Sequence, residues 1–341
     1  MIPNIEIGSR KIGSGQPTFI IADIGSTHNG DLETAKKLID AATEAGADAV
    51  KLKSYYTEYV LDKNTYTGEG DALEKIRNVQ LSLDHICTLK SHCIERGILF
   101  LSTPYDKRSV DDLDGMGQPL FLVDSGEVTN HSLLRHIAKK GKPVILSTGM
   151  TYLGEVDQAV GAMRREGCHR LILLHGVCAC PAESGDLNLR AMAVMSTSLR
   201  LAIGLFDPSP RIEIAIGAVA LGACVIEKML TLDKNQEGHE HKASLEPDLF
   251  KDMVEKIRSL ENAMGDGIKK PTFSEMDNRD NLRRSLAMAK DTSKGEIIGD
   301  KHLIALRPAS GISPSFEKQI WGKALRRDLK AGAFIGWGDL D

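Results

Sequence analysis

The sequence predicts an α/β protein, a closed (β/α)8 barrel followed by a small, mostly β domain, and three patterns carry that prediction. Short apolar runs alternate with amphipathic segments eight times from residue 19 onward. The runs are apolar almost without interruption, which marks strands buried on both faces and hence a parallel sheet covered by helices. Near residue 270 the alternation stops, and KDTSKGEIIGDKHL (290 to 303) recurs loosely as RDLKAGAFIGWGDL (327 to 340).

In order, the candidate strands are FIIADIG from 19, DAVKLK from 48, ILFLSTP from 98, LFLVDSG from 120, PVILSTG from 143, LILLHGVC from 171, LAIGLFD from 201 and CVIEKMLT from 224. Helical periodicity fills DLETAKKLIDAATEAG, SLDHICTLKSHCIERG, NHSLLRHIAKKG and YLGEVDQAVGAMRREG. Asp31, Ser82 and Asn130 stand where N-caps belong, and Gly46, Gly97, Gly141 and Gly167 where helices stop. A last helix is expected from about Pro247 to Met264. Eight such units fit a barrel better than a doubly wound sheet, which usually ends at five or six strands. The half-repeat aligns Asp291 with Asp328, Gly295 with Gly332, Ile298 with Ile335 and Leu303 with Leu340, and implies two similar turns. The expected boundaries are a barrel with a short N-terminal β extension over 1–268, an exposed polar linker over 269–283, and the second domain over 284–341.

Composition excludes several classes. Forty-three basic against 47 acidic residues, without a basic run, give no electrostatic footprint for nucleic acid. No segment approaches the apolar length of a membrane span, and MIPNIEIGSRKIGSG has neither signal-peptide nor transit-peptide character, so a cytoplasmic protein is expected. Six scattered cysteines in a chain of 341 residues point to buried thiols rather than a disulfide framework.

Catalytic residues of such barrels project from the C-terminal strand ends. That rim holds Asp23, His28 and Asn29, then Lys51 and Lys53, Ser102 and Thr103, Asp124, Ser125 and Glu127, Ser147 and Thr148, His175, Cys178 and Cys180, Asp207, and Glu227 with Lys228. Lys51 and Lys53 are two apart on a strand and share a face. Two interior ammonium groups are costly unless an anion meets them; the plainer alternative places Lys53 beyond the barrel, in water. The small hydroxyls Thr103, Ser125 and Ser147, near Gly126 and Gly149, suit a phosphate or carboxylate, although any one of them alone reads as structural. Glu227 and Lys228 could form a rim ion pair. Cys178 and Cys180 are open to three readings: a metal clip, a redox pair, or a strand end.

The stretches IIADIGSTHNGDLETAKKLIDAATEAGADAVKLK, FLSTPYD, VDSGEVTN, KPVILSTGM, GAVALGACVIEK and TLDKNQEGHEHKASLEP, in this order, resemble the sialic acid (N-acetylneuraminate) synthase family. NLRRSLAMAKDTSKGEII, IALRPASGISP and WGKALRRDLKAG resemble its C-terminal antifreeze-like (SAF) domain. The resemblance implies a TIM barrel with an SAF lid, and condensation of phosphoenolpyruvate with an N-acetylated hexosamine to a nine-carbon 2-keto acid for surface polysaccharide. It further implies a domain-swapped homodimer. Position by position it makes Lys51, Thr103, Ser125 and Ser147 contacts to phosphoenolpyruvate, with Cys178 replacing a polar residue there. Glu127 matches the acid beside the reacting centre, and Asp23 stands where a Glu is usual. Arg307 matches the lid arginine that reaches the sugar's N-acyl group across the dimer. Glu240 stands for an Asp on the sugar side, and His28 in STHNG lies near the ligand, although a turn before a helix explains it equally well.

Departures from the family matter as much. Its divalent metal, Mn2+ or Mg2+, is held by a histidine in a GLSDH-like motif and another in an ERH-like motif. Here GLFDPS and EKMLT put Pro208 and Met229 at those positions, so the metal is not expected in its usual place. Phe206 replaces a serine, Leu122 replaces the lysine of a KIGS-like motif, and Lys53 stands for a common Gln. Cys178, Cys180 and the added His239 offer an alternative soft-metal set. Three functions remain in view: a synthase in which Lys53 polarises the aldehyde in place of the metal, a sugar- or anion-binding paralogue serving glycan assembly as partner or regulator, and a lyase using Lys51 as a Schiff-base amine.

Overall fold

Every one of the eight apolar runs forms a strand in the computed structural model, which describes residues 4–7, 10–13, 15–62 and 72–341. They are β1 (Phe19–Gly25), β2 (Ala49–Ser54), β3 (Leu99–Pro104), β4 (Phe121–Val123), β5 (Val144–Ser147), β6 (Leu171–Gly176), β7 (Ala202–Asp207) and β8 (Val225–Met229). The sheet runs β3-β2-β1-β8-β7-β6-β5-β4 with parallel ladders. Its end strands β3 and β4 approach with Cα atoms within 8 Å, which closes the ring.

Helices follow the strands: α1 (Leu32–Glu44), α2 (Leu83–Arg96), α3 (Lys107–Gly115), α4 (His131–Ala138), α5 (Leu153–Arg165), α6 (Ala191–Leu199), α7 (Ile212–Ala220) and α8 (Pro247–Met264). Asp31, Ser82 and Asn130 accept the N–H of Thr34, His85 and Leu133, so each satisfies a donor the first turn leaves orphaned. Gly97 ends α2 in the left-handed region at φ 73°, where a Cβ would be strained.

Alternation along the strands builds two cores. Ile20, Ala22 and Ile24 of β1 face the helices, whereas Phe19, Ile21 and then Asp23 face the barrel interior. The interior cluster contains Leu101, Leu122, Ile145, Ile172 and Leu174. An antiparallel hairpin, Ile5–Ile7 with Arg10–Ile12, adds Ile5, Ile7 and Ile12 to that cluster beside the strand starts at Phe19, Ala49, Ala202 and Val225. The hairpin therefore stoppers the N-terminal end of the ring.

The chain divides into two compact units, Met1–Gly265 and Asp266–Asp341. The stretch expected as a linker is exposed and carries structure of its own, a turn at Phe273–Glu275 and a helix at Met276–Leu282. In the second unit β9 (Ser285–Met288) pairs antiparallel with β10 (Leu303–Leu306) over a core that includes Leu286, Met288, Ile298, Leu325, Leu329, Ile335 and Leu340. The half-repeat of the sequence becomes a local two-fold. Thr292 and Leu329 exchange backbone hydrogen bonds, both 2.9 Å, and Gly295 N–H to Leu325 O mirrors Gly332 N–H to Met288 O, both 2.8 Å. Asp291 accepts the N–H of Ala331 at 2.9 Å, and its counterpart Asp328 accepts that of Lys294 at 2.7 Å. Among the described residues no helix is long and apolar enough to cross a membrane.

Candidate active site

The strand ends converge on a cavity of about 230 Å³ lined by Asp23, Lys51, Lys53, Tyr105, Asp124, Ser125, Gly126, Ser147, Cys178, Cys180, Phe206, Met229 and Glu240. Lys51 stands at its floor, fully buried, with Nζ at 2.7 Å from Glu227 Oε1, 2.8 Å from Asp124 Oδ1 and 3.2 Å from Asp23 Oδ2. Burial opposes its charge, but Asp124, Asp23 and Glu227 together hold its pKa well above the usual lysine value. Lys51 is thus held as an ammonium by three carboxyl groups, the form that does not attack a carbonyl.

Glu227 is pushed up to about 8, first by burial, against the pull of Lys51 and with Asp23 and Asp124 adding to the push. Its Oε2 is buried with no hydrogen-bond partner among the described residues. The rim ion pair between Glu227 and Lys228 does not form, because successive strand residues point to opposite faces. Lys228 instead reaches the helix side, where Nζ meets Asp207 Oδ2 at 2.5 Å and the carbonyls of Ser209 and Arg211 at 2.5 and 2.8 Å.

Lys53 is not solvated beyond the barrel. It lines the cavity and pairs with Glu240 at 2.5 Å, while the other Glu240 oxygen accepts Ser26 N–H at 2.9 Å. Ser125 and Ser147 share a hydrogen bond of 2.9 Å, and Ser125 Oγ also accepts Gly149 N–H at 2.8 Å. A Cβ at Gly149 would come within 2.7 Å of Cys178 Sγ and 3.0 Å of Ser125 Oγ, so any larger residue there would displace these side chains. Thr103 pairs in register with Lys53 and so faces inward, its buried Oγ1 without a partner among the described residues.

Of the remaining candidates, Glu127, His28 and Arg307 are not among the residues that line the cavity. Glu127 is half-buried, accepts from Asn130 Nδ2 at 2.7 Å, and is shifted upward by burial. His28 is buried, its Nδ1 accepting Gly30 N–H at 2.9 Å, and burial pulls its pKa down to about 4, so it is neutral. Arg307 belongs to the second unit and is exposed. Cys178 and Cys180 both line the cavity as free thiols; burial raises both, Cys180 to about 11. The side chain of His239 lies outside the described residues. The reasoning from sequence gave no role to Tyr105, which hydrogen-bonds Asp124, nor to Asp124 and Glu227 as partners of Lys51. Asp124 could have been noticed, because LVDS places it third in the KIGS-like motif, where a glycine is usual.

The sequence profile of the NeuB family matches residues 38–269, and that of the SAF domain matches 283–341. The chain belongs to the NeuB family. Its similarity extends along the whole chain: N,N'-diacetyllegionaminic acid synthase of Campylobacter jejuni is 41% identical over 329 residues, covering 93% of this chain and 98% of that one. The synthase of the same name from Legionella pneumophila is 37% identical over 347 residues, covering 98% of each. The crystal structure of N-acetylneuraminic acid synthetase from Leptospira borgpetersenii, in complex with citrate, superposes with a TM-score of 0.75 at 31% identity, covering 82% of this chain and 95% of that one. This NeuB-family member is thus a relative of nonulosonic acid synthases, with their barrel and SAF domain.

The family's divalent metal does not fit here. Pro208 offers no side-chain donor, and the Met229 thioether is a soft ligand that Mn2+ and Mg2+ reject. The nearby hard donors are already engaged, Asp207 by Lys228, and Asp23, Asp124 and Glu227 by Lys51. Among the described residues no group of three or more His, Cys, Asp or Glu is arranged to hold a metal ion.

Proposed function

We propose that this NeuB-family chain is a nonulosonic acid synthase that joins phosphoenolpyruvate to an N-acetylated hexosamine, giving a nine-carbon 2-keto acid for surface polysaccharide. The observation that supports it best is the cavity onto which separate strand ends bring Lys51, Lys53, Ser125, Ser147 and Asp23, and the segment after β8 brings Glu240. In this reading a bond forms between C3 of phosphoenolpyruvate and the aldehyde carbon of the open sugar, water adds at C2, and phosphate leaves. Lys53, held in place by Glu240, supplies the fixed positive charge beside the developing alkoxide, where preorganised charge is most effective. Ser125, Ser147 and Thr103 offer hydroxyls to the donor, and Cys178 packs beside them. Asp23 and Glu127 orient the aldehyde and handle protons; Glu240 and His28 face the sugar side. The reading includes a homodimer in which Arg307 of the partner subunit reaches the N-acyl group.

One observation favours a second reading, a paralogue that binds a sugar or anion as partner or regulator in glycan assembly without the condensation: Pro208 and Met229 stand at the two metal-ligand positions. The two are separated by phosphate release from phosphoenolpyruvate with a panel of N-acetylhexosamines, with and without EDTA, and by the mass of the product. Sugar-dependent release that EDTA leaves intact supports the synthase. No release with any sugar overturns it in favour of the binding protein.

A further inference from the structure

An ammonium group has three donors, and all three of Lys51 are taken by this chain's own carboxyl groups. An arriving phosphate or carboxylate finds none free. Two of the three partners are fixed. Glu227 and Asp23 side chains are 1% and 3% exposed, and the second oxygen of Asp23 accepts Gly25 N–H at 2.9 Å. Asp124 differs: its side chain is 23% exposed, lines the cavity, and reaches Lys51 at 2.8 Å with one oxygen while the other accepts from the Tyr105 hydroxyl. It stands at the start of the Ser125–Glu127 turn, at a position where the KIGS-like motif has a glycine and so no side chain at all. The lysine of that motif is Leu122, buried in the interior core, so no second cation from β4 offsets the added carboxylate.

We infer that Asp124 is an internal competitor for the anionic donor: its carboxylate holds the place beside Lys51 and Tyr105 that a phosphate or carboxylate of the donor takes once Asp124 swings out. The inference rests on phosphoenolpyruvate being that donor. Asp124 thereby sets the selectivity of the pocket against multiply charged acids, since a singly charged acid has less to gain from the vacated ammonium and meets less repulsion from Asp23 and Glu240.

The test is calorimetric titration of the full-length protein with phosphoenolpyruvate and with pyruvate, beside Asp124→Asn, which keeps the shape and removes the charge. The variant is expected to bind phosphoenolpyruvate at least tenfold tighter while pyruvate gains less. Equal affinity of variant and parent for phosphoenolpyruvate, or an equal gain for both acids, overturns the inference. If Asp124→Asn does not fold, the parent protein decides: pyruvate bound no more weakly than phosphoenolpyruvate supports the competitor, and phosphoenolpyruvate bound tenfold tighter than pyruvate overturns it. Sugar-dependent phosphate release without any gain in the variant sinks the competitor alone. A tenfold gain without release under any sugar sinks the synthase reading and leaves the competitor standing.

Discussion

Replacing Glu227 with glutamine probes the charge balance at the barrel floor. Glu227 is fully buried, and its carboxyl is pushed from the ordinary 4.5 up to about 8 in the folded protein. Between those values the native state keeps a proton that the unfolded chain has lost. The contribution of Glu227 to stability therefore falls as pH rises through this window, by about 1.4 kcal/mol per pH unit. Glutamine does not titrate and retains a carbonyl oxygen for Lys51 Nζ. Whatever constant offset the substitution brings, the stability of Glu227→Gln relative to the parent should climb with that same slope, on the order of 3 kcal/mol from about pH 5 to about pH 7.5. It should level off above the folded value. Urea denaturation followed by far-UV circular dichroism measures this. Tryptophan fluorescence does not, because the two tryptophans, Trp321 and Trp337, both lie in the second unit. A difference that stays flat across the window would show that Glu227 is not the buried, proton-holding carboxyl described above.

Three further outcomes are expected. Lys228→Met strands Asp207, which is fully buried, and should cost about 3–5 kcal/mol in the same denaturation experiment, the range for an ion pair broken inside a protein; a loss below about 1 kcal/mol would mean that Asp207 finds other partners. Lys53→Gln should lower sugar-dependent phosphate release by about 10²–10³-fold if its charge stabilises the alkoxide, and unchanged release would remove Lys53 from the mechanism. Asp291→Ala and Asp328→Ala occupy equivalent places in the local two-fold, so each should lower the fluorescence midpoint of the second unit by a similar amount and leave the barrel transition unmoved. Unequal shifts would show that the two halves do not share the load.

The ring was legible in the sequence because buried parallel strands are written as uninterrupted apolar runs. The expected starts at 48, 98 and 120 fall one residue before the observed Ala49, Leu99 and Phe121. Caps with a hydrogen-bonding side chain were legible for the same local reason. Less visible was α7, whose sequence IEIAIGAVA is apolar nearly all round and carries no clear period. The rim residues Lys51, Lys53, Ser125 and Ser147 were legible because strand ends set their direction. Their partners were not, because which carboxylate meets which amine is decided across the ring, between residues such as 51 and 227 that are 176 apart in the chain. Glu227 and Lys228 show this most plainly. Adjacent in sequence and opposite in charge, they serve different faces of the wall, one inside the barrel and one beneath the helices.

The hairpin that plugs the lower end of the ring leaves the cavity at the opposite end, where the strands finish. Under the proposed condensation, the reactant seated deepest, against Lys51, has to enter before the one that packs above it. Steady-state turnover should accordingly follow a compulsory order, with the acid ahead of the sugar.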